Sequence, residues 1–248
     1  MKNSNLSSLL ENKPEAYYWM GFLMADGHFE EKRLVLVLSS KDKEHVQSFA
    51  NFVNSKVEPY KAGKAFGVRF MDAVIVSKIR KKFDIQTNKT LFPCSLDIKK
   101  SDHFVSFLIG FIDGDGCICK NQNRPDSHIK IKCHSSWLSN FDSWSKRLSL
   151  LTGIKVASPK INKQGYAVWS ITNTLVLRYL KVKSLSLPVL NRKWKRINEN
   201  FVSKQEKGKE RVEKVQLLLV EGLKKTEIAK RLAISKSAVS QIIKRHSL

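Results

Sequence analysis

Two stretches of the chain are apolar almost all round and differ from everything near them. Residues 19–27 read WMGFLMADG and residues 108–116 read LIGFIDGDG. At helical period neither has a polar face, which predicts buried helices. Gly21 and Ala25 lie four apart, as do Gly110 and Gly114. Residues at i and i+4 share one helix face. Two such faces of small residues let helix backbones come close together. A glycine inside a helix costs roughly 1 kcal/mol relative to alanine, so four spaced small residues call for a packing reason. The simplest arrangement pairs the two helices along these faces, about a pseudo-twofold axis.

Downstream of each stretch the same order of elements recurs. HFEEKRLVLVLSS is strand-like and KDKEHVQSFANFVN is helix-like. After the second stretch come CICKNQNRPDSHIKIKCHSS and the helix-like WLSNFDSWSKRLSLLTG. Further strands are expected over 57–60 and 65–70, and over 155–158 and 166–171. Short helices are expected over 72–83 and 173–182. The reading is α+β: two pseudo-twofold-related αββαββα halves with antiparallel, saddle-like sheets, over residues 1–95 and 96–203. HIKIKCH alternates strictly, with His128, Lys130, Lys132 and His134 on one face of a strand and Ile129, Ile131 and Cys133 on the other.

From residue 204 the pattern becomes polar and helical, with Gly208 expected in a linker and a helix over 210–221. Nine Lys and three Arg stand against five Glu between 204 and 248. Thr226 is expected to cap a helix ending near Leu232, and Ser235 a second helix over 236–245. This small all-α module resembles a helix-turn-helix, with Lys236, Ser237, Ser240, Gln241 and Lys244 on its recognition helix.

Charge narrows the partners. Lys and Arg total 45 against 22 Asp and Glu, a net charge of +23 and a pI near 9.9. This favours a polyanion such as nucleic acid. Cys94, Cys117, Cys119 and Cys133 form no C-x-x-C pair. They are expected to be reduced, buried thiols. The N-terminus lacks a signal-peptide core, and no apolar run reaches membrane-spanning length. An intracellular protein with no membrane partner is expected.

Against that charge, Asp26 and Asp115 stand out. Gly27 and Gly116 are expected to stop the helices as left-handed C-caps, which puts both acids at helix C-termini, side by side. The helix dipole disfavours acids there, and two close carboxylates repel. Bound divalent cations would offset both costs, and carboxylates plus phosphate suit Mg²⁺. No backbone metal ligand is assigned at Ala25.

The two segments resemble the LAGLIDADG motif of homing endonucleases, in the double-motif, single-chain form, over roughly residues 15–200. The resemblance implies that Asp26 and Asp115, each the last acid of its motif, hold catalytic Mg²⁺ or Mn²⁺ between two DNA strands. Met24 replaces the earlier acid in the first copy, so Asp113 is set apart from the metal ligands. The resemblance also implies basic residues near the scissile phosphates. Lys89 fills this place in the first half and Lys193, or Arg192, in the second, where they would stabilise transition-state charge.

DNA contact is expected from Lys120, Asn121, Gln122 and Arg124 at a hairpin tip and from the basic face of His128, Lys130, Lys132 and His134. Lys32 and Arg69 are weaker counterparts in the first half. RLVLVLSS, apolar on both faces, does not reveal which side chains would meet DNA. The function implied is site-specific cleavage of both strands of a long pseudo-palindromic target by a monomer, leaving 3′ cohesive ends in intron homing. Two alternatives are a non-catalytic LAGLIDADG/helix-turn-helix transcriptional regulator and a maturase bound to its host intron RNA.

Overall fold

Pro14 opens helix α1 (Pro14–Asp26), where its missing N–H leaves no intrahelical bond unmade, and Glu15 adds an acid to the first turn. The chain then forms β1 (Gly27–Phe29), β2 (Arg33–Ser39), α2 (Lys43–Phe52), β3 (Tyr60–Ala62), β4 (Ala65–Met71) and α3 (Ala73–Lys82). The same order recurs as α4 (Ser101–Asp115), β5 (Gly116–Lys120), β6 (Ser127–Cys133), α5 (Leu138–Thr152), β7 (Lys160–Ile161), β8 (Ala167–Ile171) and α6 (Thr174–Ser184). A single turn, α7 (Asn191–Trp194), comes next. The computed structural model describes residues 5–54, 56–94, 97–120, 127–198 and 204–247.

Each half has one four-stranded antiparallel sheet, in the orders β1-β2-β4-β3 and β5-β6-β8-β7. The expected αββαββα duplication is therefore present. The inner face of each sheet packs against its helices. Phe49 of α2 meets Phe70 at 5.8 Å between ring centroids, and Phe141 of α5 meets Trp169 at 6.1 Å.

Helices α1 and α4 pack through their small residues. A Cβ built on Gly21 would lie 1.9 Å from the Phe107 carbonyl oxygen, and one on Gly110 1.9 Å from that of Tyr18. These reciprocal contacts are what a twofold relation between the helices requires, and any side chain would force them apart. Gly27 and Gly116 depart from expectation. Both are extended (φ −74° and −82°), and they begin the strands. Space, not handedness, demands glycine here. A Cβ would lie 2.6 Å from the carbonyl oxygen of Leu23 or Ile112.

The strand expected over 155–158 is displaced to Lys160–Ile161. Pro159 interrupts the run, and side chains take up the backbone groups before it. The Val156 N–H donates to Ser149 Oγ at 2.9 Å, and the Ala157 carbonyl accepts from Trp169 Nε1 at 3.0 Å.

The chain divides into two compact units, Met1–Glu199 and Asn200–Leu248. The second holds α8 (Lys204–Val220), α9 (Lys225–Arg231) and α10 (Lys236–His246) around Val215, Leu218, Ile228, Ala229 and Val239. Gly208 lies inside α8 and not in a linker. Thr226 is not the cap of α9. Lys224 occupies that position, and its backbone N–H donates to Glu227 at 2.7 Å, so the acid at N3 supplies the capping contact. Ser235 caps α10 as expected, accepting from the Ala238 N–H at 3.1 Å.

Candidate active site

The close packing of α1 and α4 carries Asp26 and Asp115, their last residues, to adjoining helix ends. Both side chains reach solvent. Burial of their surroundings nevertheless raises both carboxyls above the ordinary range, and the Asp115 charge raises Asp26 further. Lys193 and Lys89 pull in the other direction on both acids.

Each lysine caps one of these helices. Lys89 Nζ donates to the carbonyls of Met24 at 2.6 Å and Ala25 at 2.7 Å. Lys193 Nζ donates to Ile112 at 3.2 Å, Gly114 at 3.1 Å, Gly116 at 2.7 Å and also Asp113. Helix C-termini leave carbonyls unpaired and favour cations. The lysines thus offset the field that makes these ends unfavourable for acids. Burial lowers both lysines from their usual range, and nearby carboxylates partly restore them. The strongest carboxylate influence on Lys89 is Asp115, from the opposite half.

A cavity of about 420 Å³ opens beside this arrangement, with Lys89, Thr90, Asp115, Lys132, Cys133 and His134 in its wall. Cys133 Sγ points at Asp115 Oδ2, 3.7 Å away. The cysteines differ from expectation, since only Cys94 is buried. Cys117 and Cys119 face outward from β5, as the two-residue spacing on a strand dictates, with their sulfurs 3.3 Å apart.

Among the described residues, no group of three or more His, Cys, Asp or Glu side chains is placed to enclose a metal ion. Two carboxylates at adjoining, solvent-reachable helix ends still fit a hard cation that keeps waters and takes further oxygens from phosphate. This is the usual habit of Mg²⁺.

Asp113 sits apart from this chemistry. It is buried, and three donors satisfy its carboxylate: Tyr18 Oη at 2.9 Å, the Leu190 N–H at 2.9 Å and Trp194 Nε1 at 2.8 Å. Burial raises it to about 6 despite these bonds. The Tyr18 hydroxyl also lies 3.1 Å from His45 Nε2. Its single proton is directed at Asp113, which assigns the His45 proton to Nε2. Burial depresses His45 to about 4. The only sequence sign of this network is that Met24 replaces an acid in the first copy. Met24 there packs on a thiol, with Cys94 Sγ 3.7 Å from its sulfur. Arg192 is drawn away from the site. It binds Asp42 through two hydrogen bonds of 2.6 Å, leaving Lys193 as the residue at the end of α4.

The outer sheet faces are now defined. On β6, Ile129 and Ile131 are buried while Lys130 and Lys132 are exposed and His128 half-exposed. Lys132 Nζ bonds Gln164 at 2.8 Å and lies 4.1 Å from the centroid of the Tyr166 ring. His134 lies just beyond β6, where its Nδ1 accepts from the Ser136 N–H at 3.3 Å. Lys120 is exposed at the end of β5, but its partner Ser127 puts it on the opposite face from Lys130. Asn121, Gln122 and Arg124 lie outside the described residues. Lys32 is exposed in the β1–β2 turn, and Arg69 projects from β4 with its guanidinium 5.8 Å from the centroid of the Tyr60 ring. On β2 the pleat turns Leu34, Leu36 and Leu38 inward and leaves Val35 and Val37 on the outer side. On α10, Lys236, Ser237, Gln241 and Lys244 are exposed and Ser240 half-buried.

No family model matches the sequence, and no curated protein matches it. Among solved structures, the K262A mutant of I-SmaMI matches 72% of this chain and 86% of its own, with TM-score 0.50 and 13% identity. I-LtrWI, a LAGLIDADG homing endonuclease bound to target DNA, matches 97% of each chain with TM-score 0.48 and 14% identity. I-SmaMI bound to an uncleaved DNA target in the presence of calcium ions matches 86% of this chain and 93% of its own, with TM-score 0.46 and 12% identity. The fold of the chain is that of the LAGLIDADG homing endonucleases.

Proposed function

We propose that this protein is a site-specific double-strand DNA endonuclease. One observation carries the reading: two solvent-reachable aspartates end adjoining helices, each helix capped by a lysine, in a chain of net charge +23. Asp26 and Asp115 would hold Mg²⁺ or Mn²⁺ together with phosphate oxygens. Such cations, when bound, activate water and stabilise the leaving oxygen of a phosphodiester. Lys89 and Lys193 hold the carbonyls at the two helix ends and place positive charge where the phosphate gains negative charge. The outer sheet faces lie along a long, imperfectly symmetric duplex, which a monomer contacts with its halves 1–95 and 96–203. The module from residue 204 to 248 adds a helix-turn-helix contact through Lys236, Ser237, Ser240, Gln241 and Lys244.

The test is to incubate the protein and Mg²⁺ with a randomised DNA library and map the ends. Defined breaks on both strands with 3′ overhangs are expected, and chelation should stop them. Tight binding without breaks would sink the nuclease reading and favour a regulator. Restored splicing of an intron RNA by the protein carrying Asp26→Asn and Asp115→Asn would instead identify a maturase.

A further inference from the structure

The central strands β2 and β6 occupy the same place in their sheets, but they present different chemistry. The pairs Gly27–Leu36 and Gly116–Ile131 fix the correspondence. One residue further along, Val37 stands level with Asp26 and Lys132 with Asp115. Two residues back, Val35 corresponds to Lys130. Val37 is 40% exposed on the outer face, and Val35 is half-buried there between His28 of β1 and Arg69 of β4. Met71, 68% exposed, extends the apolar row beside Arg33.

We propose that the two halves read their half-sites differently, the first by apolar contact of Val35 and Val37 with thymine C5-methyl groups. This rests on the DNA endonuclease reading above. A valine has nothing to offer a base-edge donor or acceptor, and covering such a group would leave it unpaired. In the major groove, the thymine methyl is the apolar feature that a valine can match. Charge complementarity keeps the duplex there through Arg69, which pairs across from Val35, whereas Glu30 engages both His28 and Arg33. Val35 and Val37 are about 7 Å apart along the strand, roughly two base-pair steps. Their register beside Asp26 puts the thymines next to the cleavage centre. The second half places Lys130 and Lys132 at these positions and depends on charge.

The experiment uses the full chain. A bound site is selected from randomised DNA in Ca²⁺, and each thymine in it is replaced by deoxyuridine, which removes only the methyl group. Centre-proximal replacements in one half-site should each weaken binding about fourfold, from the transfer value of one methyl, while those in the other half-site change little. Val35→Ser with Val37→Ser, which removes every side-chain methyl, should abolish this sensitivity and leave the salt dependence unchanged. Lys130→Ala with Lys132→Ala should lower the salt dependence and leave the deoxyuridine effect intact. A selected site whose two halves respond equally to deoxyuridine, or whose response survives the valine replacements, overturns this inference alone. If no site is selected, the endonuclease reading falls and this inference with it.

Discussion

The two halves share one topology and one register, yet each settles the buried position two residues before its helix-ending acid differently. In the second half, Asp113 is held by Tyr18, Leu190 and Trp194, and Tyr18 reaches it from the other half. In the first half, Met24 stands at the matching place and meets Cys94. A fold duplicated in outline therefore tolerates a polar network on one side and a thioether on the other. Positions that set the helix-to-helix distance have no such freedom, because there backbone meets backbone. The acids and lysines at the helix ends are matched in kind across the halves, and the buried shell behind them is not.

The strongest challenge to that equivalence is functional. Asp26→Asn and Asp115→Asn should each lower double-strand cleavage roughly a thousandfold, on the scale of losing an active-site electrostatic contact. DNA binding should persist. A supercoiled plasmid assay that finds one replacement harmless would show that the two ends are not partners.

Next in size is the helix interface. Gly21→Ala and Gly110→Ala should each destabilise the fold by about 3 kcal/mol or more, measured by urea unfolding, because no rotamer relieves a clash with backbone. Similar costs on both sides would support the twofold relation.

The buried shell should respond unequally. Asp113→Asn leaves donors facing an amide and should cost about 2–4 kcal/mol. Met24→Leu, nearly volume-conserving, should cost under about 1.5 kcal/mol.

Acid sensitivity sharpens the contrast. His45, depressed to about 4, lets the unfolded chain bind the extra proton, so its contribution is lost as pH falls from about 6.5 towards 4. Asp113, raised to about 6, takes its proton first in the folded chain, so its contribution grows as pH falls over a similar window. Each amounts to about 3 kcal/mol, and in the native protein they oppose one another. Relative to the wild type, His45→Gln should therefore make stability rise as pH falls from about 6.5 to about 4, and Asp113→Asn should make it fall. Identical slopes in the two variants would contradict the network as described.

Much of this arrangement was readable in the residues. Helical spacing of Gly21, Ala25, Gly110 and Gly114 announced the paired helices, and the alternation in HIKIKCH announced a two-faced strand. RLVLVLSS did not disclose its outer face, because apolar residues fill both sides of the pleat and only pairing with β1 and β4 separates Val35 and Val37 from the leucines. The assumed handedness of Gly27 and Gly116 was wrong because a sequence does not distinguish a glycine needed for positive φ from one needed for space.

By itself, the sequence determined the duplication, the element order and the two acids at helix ends, since these arise from local periodicity and from a motif written twice. Which base, Lys193 or Arg192, lies at the end of α4, and what surrounds Asp113, were settled by long-range packing. Those outcomes depend on partners far apart in the chain, with Tyr18 and Asp113 separated by 95 residues and Asp42 and Arg192 by 150. Such pairs meet only once the helices have packed, and no periodicity in the chain records them.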